Sequence, residues 1–272
     1  MENVVVSIGG SVIVPGNDDH LYLASLAKLM EEVCEERQIF LVCGGGKVAR
    51  YYINTGRELG ASVHELDDLG IEVTRLNAGL VQLALGDKAV RRVPHNVKDA
   101  KLIAQPGKVV VMGGTVPGHT TDAVSAMLAE EVHASRIVNA TSVDAAYTAD
   151  PKKFKEARRL HRISFKELYY LVNKGEHGAG PSDVFDRLGA DIAMKHRIPI
   201  LTWQESREAV PLKFSAATAR ETASGSDSQG ARAADSMEAD PALRITLRAQ
   251  APRPAVVASE QVRKALRPPW WA

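Results

Sequence analysis

Three stretches of this chain gather glycines, hydroxyls and positive charge in patterns that could hold phosphate. The longest is Gly113-Gly114-Thr115-Val116-Pro117-Gly118-His119-Thr120-Thr121-Asp122, which follows the apolar run Val109, Val110, Val111 and Met112. The glycines free the backbone, Thr115, His119, Thr120 and Thr121 supply side-chain donors, and Pro117 and Gly118 shape a turn. Asp122 then opens a helical pattern with Ala123, Ala126, Met127 and Ala129. Such a loop, between a strand end and a helix N-terminus, is a ready anion site. Ordinary strand-to-helix connections run about 2–6 residues and rarely concentrate so many donors.

The second stretch is Gly9-Gly10-Ser11, directly after the strand pattern of Val4, Val5, Val6 and Ile8. Two glycines here allow close approach of a phosphate to the backbone, although a tight turn explains them equally well. The third is Gly44-Gly45-Gly46-Lys47, after the apolar residues 39–43. Three glycines expose backbone N–H groups, Lys47 adds a mobile charge, and Arg50 lies one helical turn on, on roughly the same face. The GK[ST] ending of a Walker motif is absent. Lys47 and Arg50 read as phosphate contacts, the alternative being solvated surface charges.

Two weaker groups accompany these. Glu65, Asp67 and Asp68 precede Gly70 and a helix expected over 71–85, with Ile71, Leu76, Leu80 and Leu83 toward an apolar partner. One of the acids could accept hydrogen bonds from a sugar hydroxyl; capping of the helix is the simpler reading. After a strand expected over 136–140 come Thr141, Ser142, Tyr147, Asp150, Lys152 and Lys153. That set suits a nucleotide base and its phosphates, and as bare composition also a solvent loop.

The elements that must position these residues alternate as strand, loop and helix. Leu23, Leu26, Met30 and Val33 recur at helical spacing behind Asp18 and Asp19, and a short helix is expected over 97–104. Ser164 caps a helix over 165–174, a further helix is expected over 184–196, and a strand begins near Ile198. The chain has 272 residues, with 34 Lys plus Arg against 33 Asp plus Glu, a balance that argues against nucleic acid as a general partner. The two cysteines, Cys34 and Cys43, lack a metal-like spacing and read as small buried hydrophobes in a reducing compartment. With no basic leader and no apolar run of about 18 residues, the expectation is a cytoplasmic protein without a membrane span. From Thr202 onward hydrophobic periodicity fades into Ala, Arg, Ser, Glu and Pro, and a disordered tail is expected over 202–272.

Up to Leu201 the chain resembles the amino-acid kinase superfamily, and closely the archaeal-type uridylate kinases. SIGGSV, VCGGGKVARYY, LDDLGIEVTRLNA, VVVMGGTVPGHTTDAVSAMLAE, VNATSVDAAYTADPKK and GPSDVFDRLGADIAMKHRI carry the resemblance, in the family's order. It implies an α/β fold, a three-layer αβα sandwich around a mainly parallel sheet, over 1–201. It implies phosphoryl transfer from ATP to UMP with Mg2+, in a homohexamer. By matching positions, Gly10, Ser11, Gly46 and Arg50 would line the ATP phosphates, and Thr141, Ser142, Tyr147 and Asp150 the ATP nucleoside. Gly45, Asp67, Thr115, Val116, Pro117, Gly118, His119, Thr120 and Thr121 would hold UMP. Lys47, Arg50 and Asp122 would be the catalytic set, with Asp122 ordering the basic groups around the transferred phosphoryl. Kinases of the same superfamily acting on isopentenyl phosphate or fosfomycin are the alternatives, as is an inactive nucleotide-binding protein.

The chain departs from the pattern in places. Ser7 stands where many superfamily members carry Lys, a lack the archaeal-type kinases share, so Lys47 is expected to supply that charge. Ser142 replaces a usual Asn, and Arg187 a usual Pro. Past Leu201, WQESRE stands where relatives continue with a strand, a Gly-Arg turn, a helix and a last strand. Reading the codons for 203–208 one base later permits Gly-Arg-Asn-Leu-Glu. A frameshift is therefore one account of the tail and a lineage-specific extension the other; resequencing the DNA separates them.

Overall fold

The computed structural model describes residues 1–16, 19–141, 146–147, 155–156, 158–160, 162–173, 185–204 and 245–248. Runs of Val, Ile and Leu buried on both faces make the central strands. β1 (Glu2–Ile8) pairs parallel with β2 (Arg37–Cys43) on one side and with β4 (Arg136–Thr141) on the other. β3 (Val110–Met112) adds parallel to β2, and β8 (Ile200–Gln204) parallel to β4. β9 (Ile245–Arg248) lies parallel to β8, and β7 (Arg162–Ile163) pairs antiparallel with β9 at the edge. The order is β3-β2-β1-β4-β8-β9-β7; β5 (Ala146–Tyr147) and β6 (Arg159–Leu160) form a separate antiparallel pair. The chain builds outward from β1 to one side and then to the other. The carboxyl ends of β1 and β4 therefore flank the switch point where open parallel sheets bind ligands.

Alternating residues of each strand feed two cores. Val4, Val6, Ile8, Ile39, Leu41, Cys43, Val109 and Val111 pack with α1 (Gly10–Ile13), α2 (Asp19–Cys34) and α4 (Val63–Leu85). Val5, Phe40, Val42, Val110, Met112, Ile137 and Ile200 pack on the other face with α5 (Val97–Leu102), α6 (Thr121–Glu131), α7 (Phe165–Asn173) and α8 (Arg187–Lys195). α3 (Gly46–Glu58) lies against α4. The result is the expected αβα sandwich. Both cysteines are free and buried. No helix among the described residues is long and apolar enough to cross a membrane.

Several elements differ from the sequence expectations. α4 begins at Val63, eight residues before the expected start, because Ser62 and Glu65 form a reciprocal capping box. Glu65, Asp67, Asp68 and Gly70 thus lie inside the helix. Leu76, Leu80 and Leu83 do not enter the core but stand 68%, 41% and 78% exposed. Ile71 is buried as expected, and Ala78 and Leu85, following it at intervals of seven, complete the buried face. α8 starts at Arg187, where Asp186 accepts from Gly189 N at 2.8 Å. Ordered sheet also enters the segment expected to be unstructured, since β8 extends to Gln204 and β9 supplies the β-branched pattern of Ile245 and Thr246. Ser142, Asp150 and most of 202–272 lie outside the described residues; Thr141 closes β4 and Tyr147 lies in β5.

Candidate active site

The loops after β1 and β2 leave the sheet side by side and are tied to it by their backbones. Gly9 N donates to Ala140 O at 3.1 Å and Gly44 N to Ile8 O at 2.9 Å. Between them the two chains touch main chain to main chain: a Cβ on Gly10 would lie 2.2 Å from Gly46 N and 2.4 Å from Gly45 C. Gly46 reciprocates, with a left-handed φ of 62° and room for a Cβ only 2.3 Å from Gly10 C. A Cβ on Gly44 would sit 2.7 Å from Gly10 N and 3.2 Å from Thr121 Oγ1, so the third glycine stretch meets the first two there. On this platform Arg50 Nη2 donates to Ser11 Oγ at 3.2 Å, joining α3 to α1. Lys47 projects exposed from the first turn of α3.

The loop from Gly113 to Thr120 lies along α4, which pins it at several points. Thr74 Oγ1 accepts from Gly114 N at 2.6 Å and donates to Ile71 O at 2.6 Å. A Cβ on Gly113 would meet Thr74 Oγ1 at 2.5 Å. Asp67 Oδ2 accepts from Gly118 N at 2.8 Å, and Arg75 Nη2 donates to Thr115 O at 3.4 Å. Asn77, 3% exposed, donates to Gly44 O at 2.7 Å and so ties the second loop to the same helix. Thr115 Oγ1, His119 Nδ1 and Arg75 Nε are buried with no hydrogen-bond partner. Buried polar atoms rarely stay unpaired, so these three mark a stretch whose hydrogen-bonding capacity the protein itself leaves unfilled.

Thr120 caps α6, its Oγ1 accepting from Ala123 N at 3.2 Å, and this sets Asp122 in the first turn. Asp122 keeps some residue surface, but its carboxyl is packed round by protein; Ser7 Oγ donates to it at 3.4 Å. Burial, then the neighbouring Asp186 charge, pushes its pKa from 3.8 up to about 7, against the opposing hydrogen bonds from Ser7 and the Asp186 backbone.

The structure therefore brings together Gly10, Ser11, Gly44, Gly45, Gly46, Arg50, Thr121 and Asp122, with Asp67 and Thr115 to Thr120 beside them. Asp67, expected to hold UMP, spends one oxygen on the loop backbone. Sequence reasoning missed Thr74 and Asn77, whose signal is a polar pair at helical spacing on the buried side of α4. It also missed Asp186, whose signal is its N-cap position before α8.

The amino acid kinase family profile matches residues 2–201. The chain belongs to the amino acid kinase family. Within it, the chain is 44% identical over 183 residues to a uridylate kinase of Methanobrevibacter smithii, covering 67% of this chain and 81% of that protein. It is 45% identical over 204 residues to a uridylate kinase of Methanoculleus marisnigri, covering 74% and 86%. The crystal structure of uridylate kinase from Archaeoglobus fulgidus superposes with a TM-score of 0.68 at 41% identity, covering 76% of this chain and 92% of that one.

The raised pKa of Asp122 fixes a pH signature. A carboxyl that ionises less readily folded than unfolded stabilises the fold below its ordinary pKa of 3.8, and that contribution is lost as pH rises toward about 7. Asp122→Asn, neutral throughout, is expected to raise the Tm of the ligand-free protein at pH 8 by about 2–8 °C. The gain should shrink as pH falls toward 4, measured by thermal melts across pH. A gain independent of pH would contradict a buried, raised carboxyl.

Proposed function

We propose that this chain transfers the γ-phosphoryl group of ATP to UMP, giving UDP and ADP and so serving pyrimidine nucleotide synthesis. The observation that supports this reading most is the meeting of two backbone-to-backbone glycine loops with a long hydroxyl-rich loop at one switch point. One side suits a donor triphosphate and the other an acceptor phosphate. Gly10, Ser11 and Gly46 offer backbone and hydroxyl donors for the ATP phosphates, with Thr141, Ser142, Tyr147 and Asp150 toward the nucleoside. Gly45, Asp67 and residues 115–121 take UMP, where Thr115 Oγ1 and His119 Nδ1 find the partners they lack within the protein. Residues 1–201 carry the kinase site in this reading, and residues 202–204 and 245–248 extend the same sheet.

A phosphate oxygen of UMP attacks the γ-phosphorus, and the bond from that phosphorus to the β–γ bridging oxygen breaks as ADP leaves. The attacking oxygen already carries charge, so no protein nucleophile and no general base is needed. Burial raises the thiol pKa of both Cys34 and Cys43, which keeps them out of the chemistry. The protein's task is to align the two phosphates and neutralise developing charge. Lys47 and Arg50 bring the mobile positive charge, backbone N–H groups the fixed donors, and Asp122 orders the groups around the transferred phosphoryl. Magnesium would enter on the nucleotide phosphates, which the backbone N–H groups of Gly10 and Gly46 and the Ser11 hydroxyl would cradle. When bound there, magnesium supplies further neutralisation of phosphate charge.

A coupled ADP-release assay across UMP, CMP, isopentenyl phosphate and fosfomycin tests the reading. Turnover is expected with UMP, and Arg50→Ala should lower kcat/KM by about one to three decades. Absence of turnover with UMP overturns the proposal, and thermal shifts with ATP and UMP then distinguish binding without catalysis from a protein that does not fold.

Self-association accompanies this reading: a homohexamer assembled from dimers. Leu76, Leu80 and Leu83 form an exposed apolar stripe on α4, edged by Glu72, Arg75 and Gly79, and contiguous apolar surface of this kind marks interfaces. Light scattering on Leu76→Asp/Leu83→Asp should show a smaller species than the unsubstituted chain. A monomeric unsubstituted chain would rule the assembly out.

A further inference from the structure

Asp186 belongs to none of the three glycine stretches, yet its carboxylate joins two helix starts. One oxygen, Oδ1, accepts from Gly189 N at 2.8 Å and caps α8. The other, Oδ2, accepts from Thr120 Oγ1, which itself accepts from Ala123 N at 3.2 Å and caps α6. The helices meet at backbone distance here, since a Cβ on Gly189 would lie 3.1 Å from both C and O of Asp122. The Asp186 backbone also bonds the Asp122 carboxyl, which Ser7 Oγ approaches from β1 at 3.4 Å. Asp122 is therefore held between β1 and the start of α8.

A cap alone does not require this charge. Asn caps a helix about as well as Asp, without setting a second carboxylate beside a buried one. Other charged groups on the elements around α6 lie elsewhere. Lys101 of α5 and His196 after α8 reach Glu131 and Glu130, each at 3.0 Å, at the far end of α6. Glu2 and Arg136 pair with each other at the amino ends of β1 and β4, and Arg37 joins them from β2. α8 also carries Arg187, Asp191 and Lys195, but among the described residues Asp186 is the charged side chain whose field acts on Asp122.

We propose that Asp186 is a positioning residue for phosphoryl transfer, clamping the start of α6 through Thr120 and placing its own charge against Asp122. This rests on the reading of the site as one of phosphoryl transfer. The clamp fixes the end of the acceptor loop and the acid beside it, while the adjacent charge sets when that acid ionises.

The test compares Asp186→Ala and Asp186→Asn in the full chain, using the ADP-release assay with ATP and UMP. Turnover by the unsubstituted chain establishes the phosphoryl-transfer reading separately. Asp186→Ala breaks the clamp and should lower kcat about tenfold to a hundredfold, with KM for both nucleotides within about threefold. Asp186→Asn keeps the cap, and should recover kcat to within about threefold while moving the acid limb of the kcat profile at least about half a pH unit lower. A purely structural cap would not move that limb. Unchanged kcat in Asp186→Ala, or an unshifted profile in a folded Asp186→Asn, overturns the proposal.

Discussion

The contact on which this site depends is the one between the backbones of Gly10 and Gly46. Neither position has space for a single carbon beyond Cα, and each is confined by the other's main chain. That closeness lets the loop after β1 and the loop after β2 act as one surface of N–H groups instead of two separate turns. Adjacent parallel strands deliver both loops to the same edge of the sheet. Glycine at the contact increases the conformational entropy lost on folding, but in the proposed reading it gives a phosphate access to the backbone without intervening atoms.

The rest of the site hangs from this platform through α4 and α6. α4 runs under both the second glycine loop and the acceptor loop, holding one through Asn77 and the other through Thr74 and Asp67. Its exposed side carries the leucine stripe of Leu76, Leu80 and Leu83, the surface on which the proposed self-association rests. α6 brings Asp122 against Ser7, the position where a lysine is common in the wider superfamily. With Ser there, no cation offsets the burial of the carboxyl and the second acid beside it, which raise its pKa in that order, and the Ser7 hydroxyl only partly opposes them.

Much of this was legible in the sequence because it is local. Apolar β-branched runs give the strands, and glycine, hydroxyl and proline composition marks the three loops. The convergence of Gly10 with Gly46, and of Gly44 with Thr121, is a property of strand order and cannot be read from either loop alone. The leucine stripe misled because hydrophobic periodicity tells that a helix has an apolar face, not which of two faces meets the sheet. α4 has both, and Ile71, Ala78 and Leu85 won the core. Its start was misplaced because Glu65 was grouped with Asp67 and Asp68 ahead of the helix, whereas Ser62 completes a capping box with Glu65 and puts all three acids inside it. Asp186 was out of reach for a different reason: its cap position is local, whereas its link to Thr120 spans 66 residues.

The most direct test of the shared glycine platform is the affinity of Gly10→Ala for ATP, measured by titration calorimetry beside circular dichroism of the same protein. The account expects a chain that retains its helices and strands but binds ATP at least about tenfold more weakly, because one added carbon forces the two loops apart. Unchanged ATP affinity in a folded Gly10→Ala would contradict it.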